Sequence, residues 1–251
     1  MIPKAHTLVV GGTRGIGREV VRHFVRAGHL VSVLGRRVSE DSGVSSQSVD
    51  LADKAALLAA LAEALKQSGR LTNLVFLQRY RGDGDAWQGE LDVSLTATKT
   101  IIEGLAGKFV RPKKASLNSI VIVGSNASRL IAGEQSVGYH AAKAALRQMA
   151  RYYACSLAPQ GLRVNYVTPG IVLKDEARKF YRENEKLHAL YRRITPLGRM
   201  GSPRDIADAI GFLCSPGAAF ITGQEIIVDG GLSLLWQGSL ANELTFPKSS
   251  G

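Results

Sequence analysis

The chain has 251 residues, of which 32 are Lys or Arg and 21 are Asp or Glu, so its formal net charge is +11. This length suffices for one α/β domain with a full core, and the lack of an apolar run of about eighteen residues argues against a membrane span. The positive charge suits nucleic acid or small anions. Because no nucleic-acid-binding motif accompanies it, we expect no nucleic-acid partner.

The cysteines and histidines indicate neither a disulfide nor a metal site. Cys155 and Cys214 each lie inside an apolar helical pattern, and the five histidines show no ligand spacing. Residues 1–6 lead directly into an apolar strand and lack the features of a signal peptide. We therefore expect a cytoplasmic protein with two core thiols and no bound metal.

The first predicted unit is a strand, a glycine-rich turn and a helix. Residues 7–10 are apolar without alternation, which is typical of a strand buried on both faces of a parallel sheet. An amphipathic helix follows the turn, extends to about Ala27 and ends at Gly28. This order presents backbone N–H groups and a helix N-terminus to a pyrophosphate, although the glycine spacing is Gly-x-x-x-Gly-x-Gly. The turn residues predicted to bind a nucleotide are Gly11, Thr13, Arg14, Gly15, Ile16 and Gly17.

The second strand predicts which nicotinamide nucleotide would bind. Residues 29–35 form this strand, and Arg36 and Arg37 follow it directly. An NAD site carries an acidic residue here for the ribose 2′-hydroxyl, whereas arginine suits a 2′-phosphate. Arg14 points the same way, so NADP (NADPH) is the predicted cofactor. The serine-rich stretch 39–48 is too short for a full crossover helix, and residues 48–51 are predicted as the third strand, with Asp50 beside the adenine.

The remaining elements continue the alternation of strands and helices. We predict helices over 54–67, 89–108 and 136–157, and strands over 74–77, 119–124 and 162–167. A loop, 78–85, follows the fourth strand, and a basic patch, 108–114, follows the second of these helices. The alternation predicts a single domain over 1–251 built on a doubly wound parallel sheet. Ligands of such sheets bind beyond the carboxyl ends of the strands, where the sequence places Gly11, Arg36, Gln78, Ser125 and Pro169.

The helix over 136–157 contains a pair of residues suited to proton transfer. Tyr139 and Lys143 are four residues apart and so lie on one face of the helix. A nearby ammonium stabilises a phenolate, which makes a tyrosine usable as a general acid or base at neutral pH. The pair alone is also common on solvated helix faces. Its meaning therefore depends on the motifs around it.

Taken in order, the motifs extend over nearly the whole chain. They are Gly11-x-x-x-Gly15-Ile16-Gly17, Ser125, Tyr139-x-x-x-Lys143, Arg163-Val164-Asn165, Pro169-Gly170, the run 196–203, Ile221-Thr222-Gly223 and Val228-Asp229-Gly230-Gly231. This set resembles the short-chain dehydrogenase/reductase family. The resemblance implies a Rossmann fold, a dimer or tetramer, and hydride transfer between a nicotinamide cofactor and a carbonyl or secondary alcohol.

The resemblance also implies roles for individual residues. Tyr139 would donate a proton to the carbonyl oxygen, Ser125 would hydrogen-bond that oxygen, and Lys143 would hold the nicotinamide ribose. Backbone groups of the stretch 169–171 would reach the carboxamide. The further cofactor-binding residues are Asp50, Leu51, Gln78, Pro169, Gly170 and Ile171.

The sequence departs from the family pattern at four places. Phe76-Leu77-Gln78-Arg79 replaces the usual Asn-Asn-Ala-Gly, and the fourth catalytic residue, an asparagine, falls at Ser94. One extra residue before Tyr139 leaves Asn126 and Ser128 as alternatives to Ser125. The threonine expected after Pro169-Gly170 aligns near Lys174. A nucleotide-binding sensor or assembly subunit without turnover is therefore a second hypothesis.

Residues 174–193 combine lysines and arginines with aromatic side chains. In the family this segment is a lid over the substrate, although a solvated surface helix has a similar composition. The basic residues near the predicted cleft mouth are Arg79, Arg81, Lys174, Arg178, Lys179 and Arg182. They favour an anionic substrate, such as an acyl thioester or a sugar or nucleotide derivative. The apolar-rich tail, 232–251, packs on its own subunit or on a neighbour.

Overall fold

A seven-stranded sheet in the order β3-β2-β1-β4-β5-β6-β7 forms the centre of the protein in the computed structural model, which describes residues 4–110 and 118–245. Every neighbouring pair of strands is parallel. The strands are β1 (His6–Val10), β2 (Leu30–Gly35), β3 (Val44–Ser48), β4 (Asn73–Phe76), β5 (Asn118–Val123), β6 (Leu162–Pro169) and β7 (Glu225–Val228). The inner strands β1, β4, β5 and β6 are buried along their whole length, as strands of a parallel sheet covered on both faces are.

Helices cover both faces of the sheet. They are α1 (Gly15–Arg26), α2 (Lys54–Ser68), α3 (Ala86–Glu90), α4 (Ala97–Leu105), α5 (Val137–Leu157), α6 (Arg178–Glu183), α7 (Glu185–Ile194), α8 (Pro203–Cys214) and α9 (Gln237–Thr245). One core cluster joins the sheet to α2, α4 and α5, and the other joins it to α1 and α8. The predicted doubly wound parallel sheet is confirmed. The strand order reverses between β1 and β4, and such a switch point opens a crevice for ligands.

The third strand lies earlier in the chain than the sequence predicts. It spans Val44–Ser48, and its polar sequence pairs in parallel with β2 at the edge of the sheet. Val49 and Leu51, which suggested the strand over 48–51, instead turn their apolar side chains into the core after it. An edge strand with half-buried side chains does not need an apolar run, so hydrophobicity placed it wrongly.

The helix predicted over 89–108 also begins earlier and is not regular. The Asp85 carboxylate accepts hydrogen bonds from the backbone N–H groups of Trp87 and Gln88, so α3 begins at Ala86. A π-helical turn, Leu91–Thr96, separates α3 from α4. Strand β7 was not among the predicted strands. Cys155 is exposed, in contrast to the prediction of two core thiols, because it follows the inward-facing Ala154 on the outer face of α5, whereas Cys214 is buried.

A polar network ties together the amino ends of three neighbouring strands, which we call the amino edge. His6 Nε2 is hydrogen-bonded to Ser32 Oγ at 2.9 Å, and Thr7 Oγ1 to His29 Nδ1 at 2.8 Å. The Asn73 side chain donates to Thr7 Oγ1 at 3.1 Å. Burial lowers the pKa of both His6 and His29, so the network contains neutral imidazoles.

Parts of two predicted features lie outside the described residues. These are residues 111–114 of the basic patch and residues 246–251 of the tail; the rest of the tail includes α9. Along the described ranges, none of the helices is both long and apolar enough to cross a membrane.

Candidate active site

The carboxyl ends of the strands open into a cleft of about 1220 Å³. Its lining contains Ser125, Tyr139 and Lys143 together with every residue predicted to bind the cofactor: Gly11, Thr13, Arg14, Gly15, Ile16, Gly17, Arg36, Arg37, Asp50, Leu51, Gln78, Pro169, Gly170 and Ile171. Ser94 is not part of the lining and is fully buried. Of the two alternatives to Ser125, Asn126 lines the cleft and Ser128 does not.

The glycine turn and α1 form one end of the cleft. A side chain at Gly17 would collide with the carbonyl oxygen of Gly11, so glycine lets the helix begin close against the end of β1. The helix N-cap, Arg14, makes no side-chain cap and the first turn contains no acidic residue. The first N–H groups of α1 therefore point into the cleft without a side-chain partner, which suits a pyrophosphate.

Arginines border this end of the cleft. The Arg36 guanidinium donates to the Arg81 carbonyl oxygen at 3.0 Å, which links the loops after β2 and β4. Across the described ranges, Arg14, Arg36 and Arg37 form no ion pair with a carboxylate. Exposed guanidinium groups without acidic partners fit a phosphate on the adenosine ribose.

The opposite wall carries the predicted catalytic residues. Ser125 follows β5 and its Oγ accepts a hydrogen bond from the N–H of Ala127 at 3.2 Å. Ser136 caps α5 by accepting from the N–H of Tyr139 at 3.2 Å, which fixes the start of the helix. Lys143 lies one turn further on, with its Nζ 5.5 Å from the centre of the Tyr139 ring. Its Nζ also donates to the carbonyl oxygen of Val123 at 3.5 Å, at the end of β5.

Four cations lie close enough within the cleft to repel one another. The pKa of Arg81 is lowered first by desolvation and then by the charges of Arg14 and Arg79. The pKa of Lys174 is lowered first by burial and then by Arg81, with Arg79 and Arg14 acting in the same direction. Glu176 opposes this effect on both groups. We call Arg14, Arg79, Arg81 and Lys174 the cleft cations; such a group attracts anions.

Two other basic residues of the segment 174–193 form exposed ion pairs instead. Arg178 pairs with Asp175 at 2.8 Å, and Lys179 lies 3.8 Å from Glu183, both pairs being exposed. The side chains of this segment that line the cleft are those of Lys174, Glu176, Tyr181 and Tyr191. Tyr181 of α6 and Tyr191 of α7 therefore contact the cleft, while the charged side chains of these two helices do not line it.

Comparison with known proteins identifies the family. A family model described as enoyl-(acyl carrier protein) reductase matches residues 10–233. The chain is 32% identical over 235 residues to a protein of Xanthobacter autotrophicus named inactive 2-(S)-hydroxypropyl-CoM dehydrogenase 2, with 86% of this chain and 100% of that protein covered. The chain belongs to the short-chain dehydrogenase/reductase family. A match to a tropinone reductase homologue of Arabidopsis thaliana, 40% identical over 121 residues, spans only 48% of this chain and 46% of the relative.

Solved structures of this family share the fold. A short-chain dehydrogenase/reductase from Burkholderia thailandensis is 30% identical with a TM-score of 0.80, and 99% of each chain is covered. The aldohexose dehydrogenase of Thermoplasma acidophilum is 25% identical with a TM-score of 0.82, covering 99% of this chain and 97% of that one. Short-chain dehydrogenases/reductases use nicotinamide cofactors, and the glycine turn, the uncapped α1 and the bordering arginines fit such a group.

The loop after β4 departs from the short-chain dehydrogenase/reductase pattern and reaches the catalytic wall. Gln78 is buried, and its amide donates to Thr98 Oγ1 at 2.7 Å while its Oε1 has no partner. The Arg79 guanidinium lies over the Tyr139 ring, 4.6 Å from its centre. It also donates to Gln135 Oε1 at 3.1 Å. A second cation therefore stands beside the tyrosine.

One carboxylate near the catalytic wall was not among the predicted site residues. Glu90 is only 2% exposed and accepts a hydrogen bond from Ser94 Oγ. Burial lowers the pKa of Lys143 to about 8; the charge of Glu90 opposes this shift and that of Arg79 adds to it. The signal in the sequence was a carboxylate four residues before Ser94 in a largely apolar helix.

Proposed function

We propose that the protein is an NADP(H)-dependent oxidoreductase that transfers a hydride between the nicotinamide and a carbonyl or secondary alcohol. The observation that carries the proposal is one cleft with Ser125, Tyr139 and Lys143 on one wall and an uncapped helix N-terminus bordered by arginines at its end. Family membership supports the reaction class, and Arg36 with Arg37 supports NADP over NAD.

In this proposal the residues that would hold the cofactor line the carboxyl ends of the strands. The glycine turn would hold the pyrophosphate, and Arg14, Arg36 and Arg37 would hold the 2′-phosphate. Asp50 and Leu51 would contact the adenine, Lys143 would bind the nicotinamide ribose, and the backbone over 169–171 would bind the carboxamide. When bound, the nicotinamide supplies or accepts the hydride.

The residues of the catalytic wall would stabilise the negative charge that develops on the substrate oxygen. As a carbonyl is reduced, its oxygen gains negative charge, so donors aimed at it stabilise the transition state. Tyr139 donates its hydroxyl proton to this oxygen and Ser125 donates a hydrogen bond to it. The Lys143 ammonium, 5.5 Å from the ring centre, and the Arg79 guanidinium, at 4.6 Å, favour the phenolate that remains.

The substrate in this proposal carries a negative charge, as in an acyl thioester or a sugar or nucleotide derivative. The support is the mutual repulsion of the cleft cations, which an anion relieves. Arg79, over the Tyr139 ring, belongs to the substrate end and Arg14 to the cofactor end, while Lys174 lies beside Gly15 and interacts with both arginines. Tyr181 and Tyr191 line the cleft from the segment 174–193, which would act as the lid.

The test is NADPH oxidation by the purified protein against a panel of anionic and neutral carbonyl compounds. Tyr139→Phe keeps the ring and removes the proton, so turnover should fall by about 10²- to 10⁴-fold while NADPH still binds. The matched control is Tyr152→Phe, in the same helix but 65% exposed, which should retain full turnover. Near-normal turnover in Tyr139→Phe would overturn the mechanism.

A second candidate is an NADP(H)-binding protein of the same fold that does not turn over. It is favoured by the replacement of the usual Asn-Asn-Ala-Gly and by the name of the Xanthobacter relative, which calls that protein inactive. Tight NADPH binding without oxidation of NADPH by any carbonyl of the panel would support this alternative.

We also propose a cytoplasmic homodimer or homotetramer assembled through α5. The support is that α5 exposes Val137 at its start and carries small exposed residues such as Ala144, which allow close helix contacts. Light scattering of the purified protein should give a mass of two or four chains, and a monomer at micromolar concentration would contradict the assembly.

A further inference from the structure

The buried carboxylate of Glu90 has not been given a role by the proposed reaction. It ends α3 and is 2% exposed, and its hydrogen-bond donor is the hydroxyl of Ser94, which is fully buried. Burying an ionised carboxylate is costly unless a charge or several donors compensate it. A single hydroxyl does not balance the charge, so a cation has to do so.

The packing of α3 against α5 brings such a cation near. A Cβ atom at Gly138 would lie 2.8 Å from the Cα of Trp87 and 2.9 Å from the carbonyl oxygen of Ala86, so the two helix backbones touch there. Glu90 lies one turn after Ala86, and Lys143 lies in the second turn after Gly138. The contact between the backbones therefore places the carboxylate and the ammonium in neighbouring buried turns.

The π-helical turn that follows α3 holds the carboxylate in place. It starts directly after Glu90 and carries Ser94, whose hydroxyl donates back to Glu90 from four residues further along the chain. Single π-helical turns widen a helix locally and are frequent at functional sites. Here the turn directs a short side chain toward the carboxylate rather than toward the cleft.

Lys143 needs a negative neighbour because its other charged neighbour is a cation. It is 3% exposed, and the groups that act on it are Tyr139 on its own helix, Arg79 from the loop after β4 and Glu90 from α3. Burial and Arg79 both favour the neutral amine, whereas Glu90 favours the ammonium. Of these neighbours, Glu90 is the one whose charge retains the proton.

We propose that Glu90, held by Ser94, is a positioning residue that serves as the counter-ion of Lys143 and keeps it as an ammonium in the closed interior of the site. The Glu90–Ser94 pair stands where the family pattern has an asparagine, so this chain replaces an amide by a buried charge and a hydroxyl. The consequence for catalysis rests on the proposed function, whereas the electrostatic relation between Glu90 and Lys143 does not.

The first experiment needs no activity. The folded-state pKa of Lys143, about 8, lies below the ordinary value of 10.5, so the unfolded chain binds more protons between these values. The contribution of Lys143 to the free energy of unfolding therefore rises with pH across this window. In Glu90→Gln the rise should begin at lower pH, and in Lys143→Met it should be absent, as measured by urea unfolding of the cofactor-free protein across pH.

The second experiment measures NADPH affinity by fluorescence titration. Glu90→Gln should weaken binding about tenfold at pH 8 and much less at pH 6, because the ammonium that holds the ribose is lost first at high pH. Ser94→Ala keeps both charges and should show a smaller change in the same direction. The matched control is Glu63→Gln, an exposed carboxylate on α2, which should not alter either measurement.

A double variant separates the charge effect from a purely structural one. If Glu90 acts through Lys143, then Glu90→Gln should change neither the alkaline stability profile nor NADPH affinity further in a Lys143→Met background. If Glu90→Gln does not fold alone, the double variant, which buries no unpaired charge, and Ser94→Ala still provide the comparison.

The outcomes distinguish this proposal from the proposed function. The counter-ion role would be overturned if a folded Glu90→Gln protein had an unchanged alkaline stability profile. It would also be overturned if Glu90→Gln changed stability and NADPH affinity equally in the presence of Lys143 and in the Lys143→Met background, even in an active enzyme. If the alkaline stability profile shifts but no carbonyl compound of the panel supports NADPH oxidation, the counter-ion role stands and the proposed reaction is rejected.

Discussion

Two neighbouring helices, α1 and α8, begin in opposite ways. At the start of α8, Ser202 and Asp205 form a reciprocal cap, in which Asp205 Oδ2 accepts from the N–H of Ser202 at 2.7 Å and Ser202 Oγ accepts from the N–H of Asp205 at 3.3 Å. Arg199 donates to both oxygens of Asp205 at 2.8 and 2.7 Å. At the start of α1 there is no side-chain cap and no acidic residue, and its N-cap, Arg14, belongs to the cleft cations.

The difference separates a helix end that the chain completes itself from one that a ligand would complete. Both helices pack on the same face of the sheet, so burial does not explain the difference. A free helix N-terminus among cations forgoes capping energy in the folded protein and gains anion affinity in exchange. This contrast leads to four predictions.

The largest effect is expected at the cofactor end of the cleft. Arg36→Asp removes an attraction for the 2′-phosphate and adds a repulsion, together about 3 kcal/mol, so NADPH binding should weaken about 100-fold. NADH binding should change little. Titration of both nucleotides by fluorescence checks this, with Arg204→Asp on the exposed side of α8 as the control. Equal affinity of the unaltered protein for NADPH and NADH would contradict the assignment.

The next largest effect is expected on KM for the substrate, and it should differ between two basic residues of the segment 174–193. Lys174 is a cleft cation, whereas Arg178 is exposed and paired with Asp175. At saturating NADPH, Lys174→Glu should raise KM for an anionic substrate about tenfold, and Arg178→Glu less than about twofold. The KM of the unaltered enzyme should also rise with ionic strength. Equal effects of the two reversals would show that the charge of the segment acts only at long range.

The two helix ends should respond to substitution with opposite signs. Arg14→Asp supplies a side-chain cap and a negative charge at the N-cap of α1, so the cofactor-free protein should gain about 1 kcal/mol while NADPH affinity falls. Ser202→Ala should lose about 1 kcal/mol, or about 2–4 °C in Tm, without changing KM. Thermal unfolding measures the stability of both variants, and steady-state kinetics measures their KM. A destabilised Arg14→Asp protein would contradict the interpretation that the N-terminus of α1 is left uncapped for a ligand.

The smallest effect is a pH dependence at the start of α8. The Arg199 guanidinium, helped by Ser202, holds the pKa of Asp205 well below its usual range. A carboxyl group with a depressed pKa stabilises the fold above its unfolded pKa, about 4, and loses this contribution as the pH falls further. Arg199→Met should therefore lower the free energy of unfolding slightly at pH 7, since the pair is exposed to solvent, and less at pH 3. A cost that does not change with pH would mean that Arg199 acts by packing.

The sequence predicted the elements and residues that obey local rules. Unalternated apolar strands, the glycine turn and the spacing of Tyr139 and Lys143 each carry their own signal. The glycine turn, Tyr139 and Lys143 all line one cleft. The edge strand β3 was misplaced because polar, half-buried residues carry no hydrophobic pattern. The sequence shows a carboxylate four residues before Ser94, but the burial of Glu90 and the stacking of Arg79 on Tyr139 could not be predicted, because both depend on how separate segments pack.

The amino edge sets the acid limit of the pH range in which the protein works, and the cleft sets the alkaline limit. Below about pH 6.5, His6 and His29 bind protons in the unfolded chain but not in the folded protein, so acid lowers the free energy of unfolding. The destabilised part is the amino edge, which lies at the opposite end of the strands from the cleft. Alkali removes the proton of Lys143, so it should lower the activity before it unfolds the protein. Inactivation by acid should therefore coincide with loss of structure, whereas inactivation by alkali should precede it and reverse when the pH is restored.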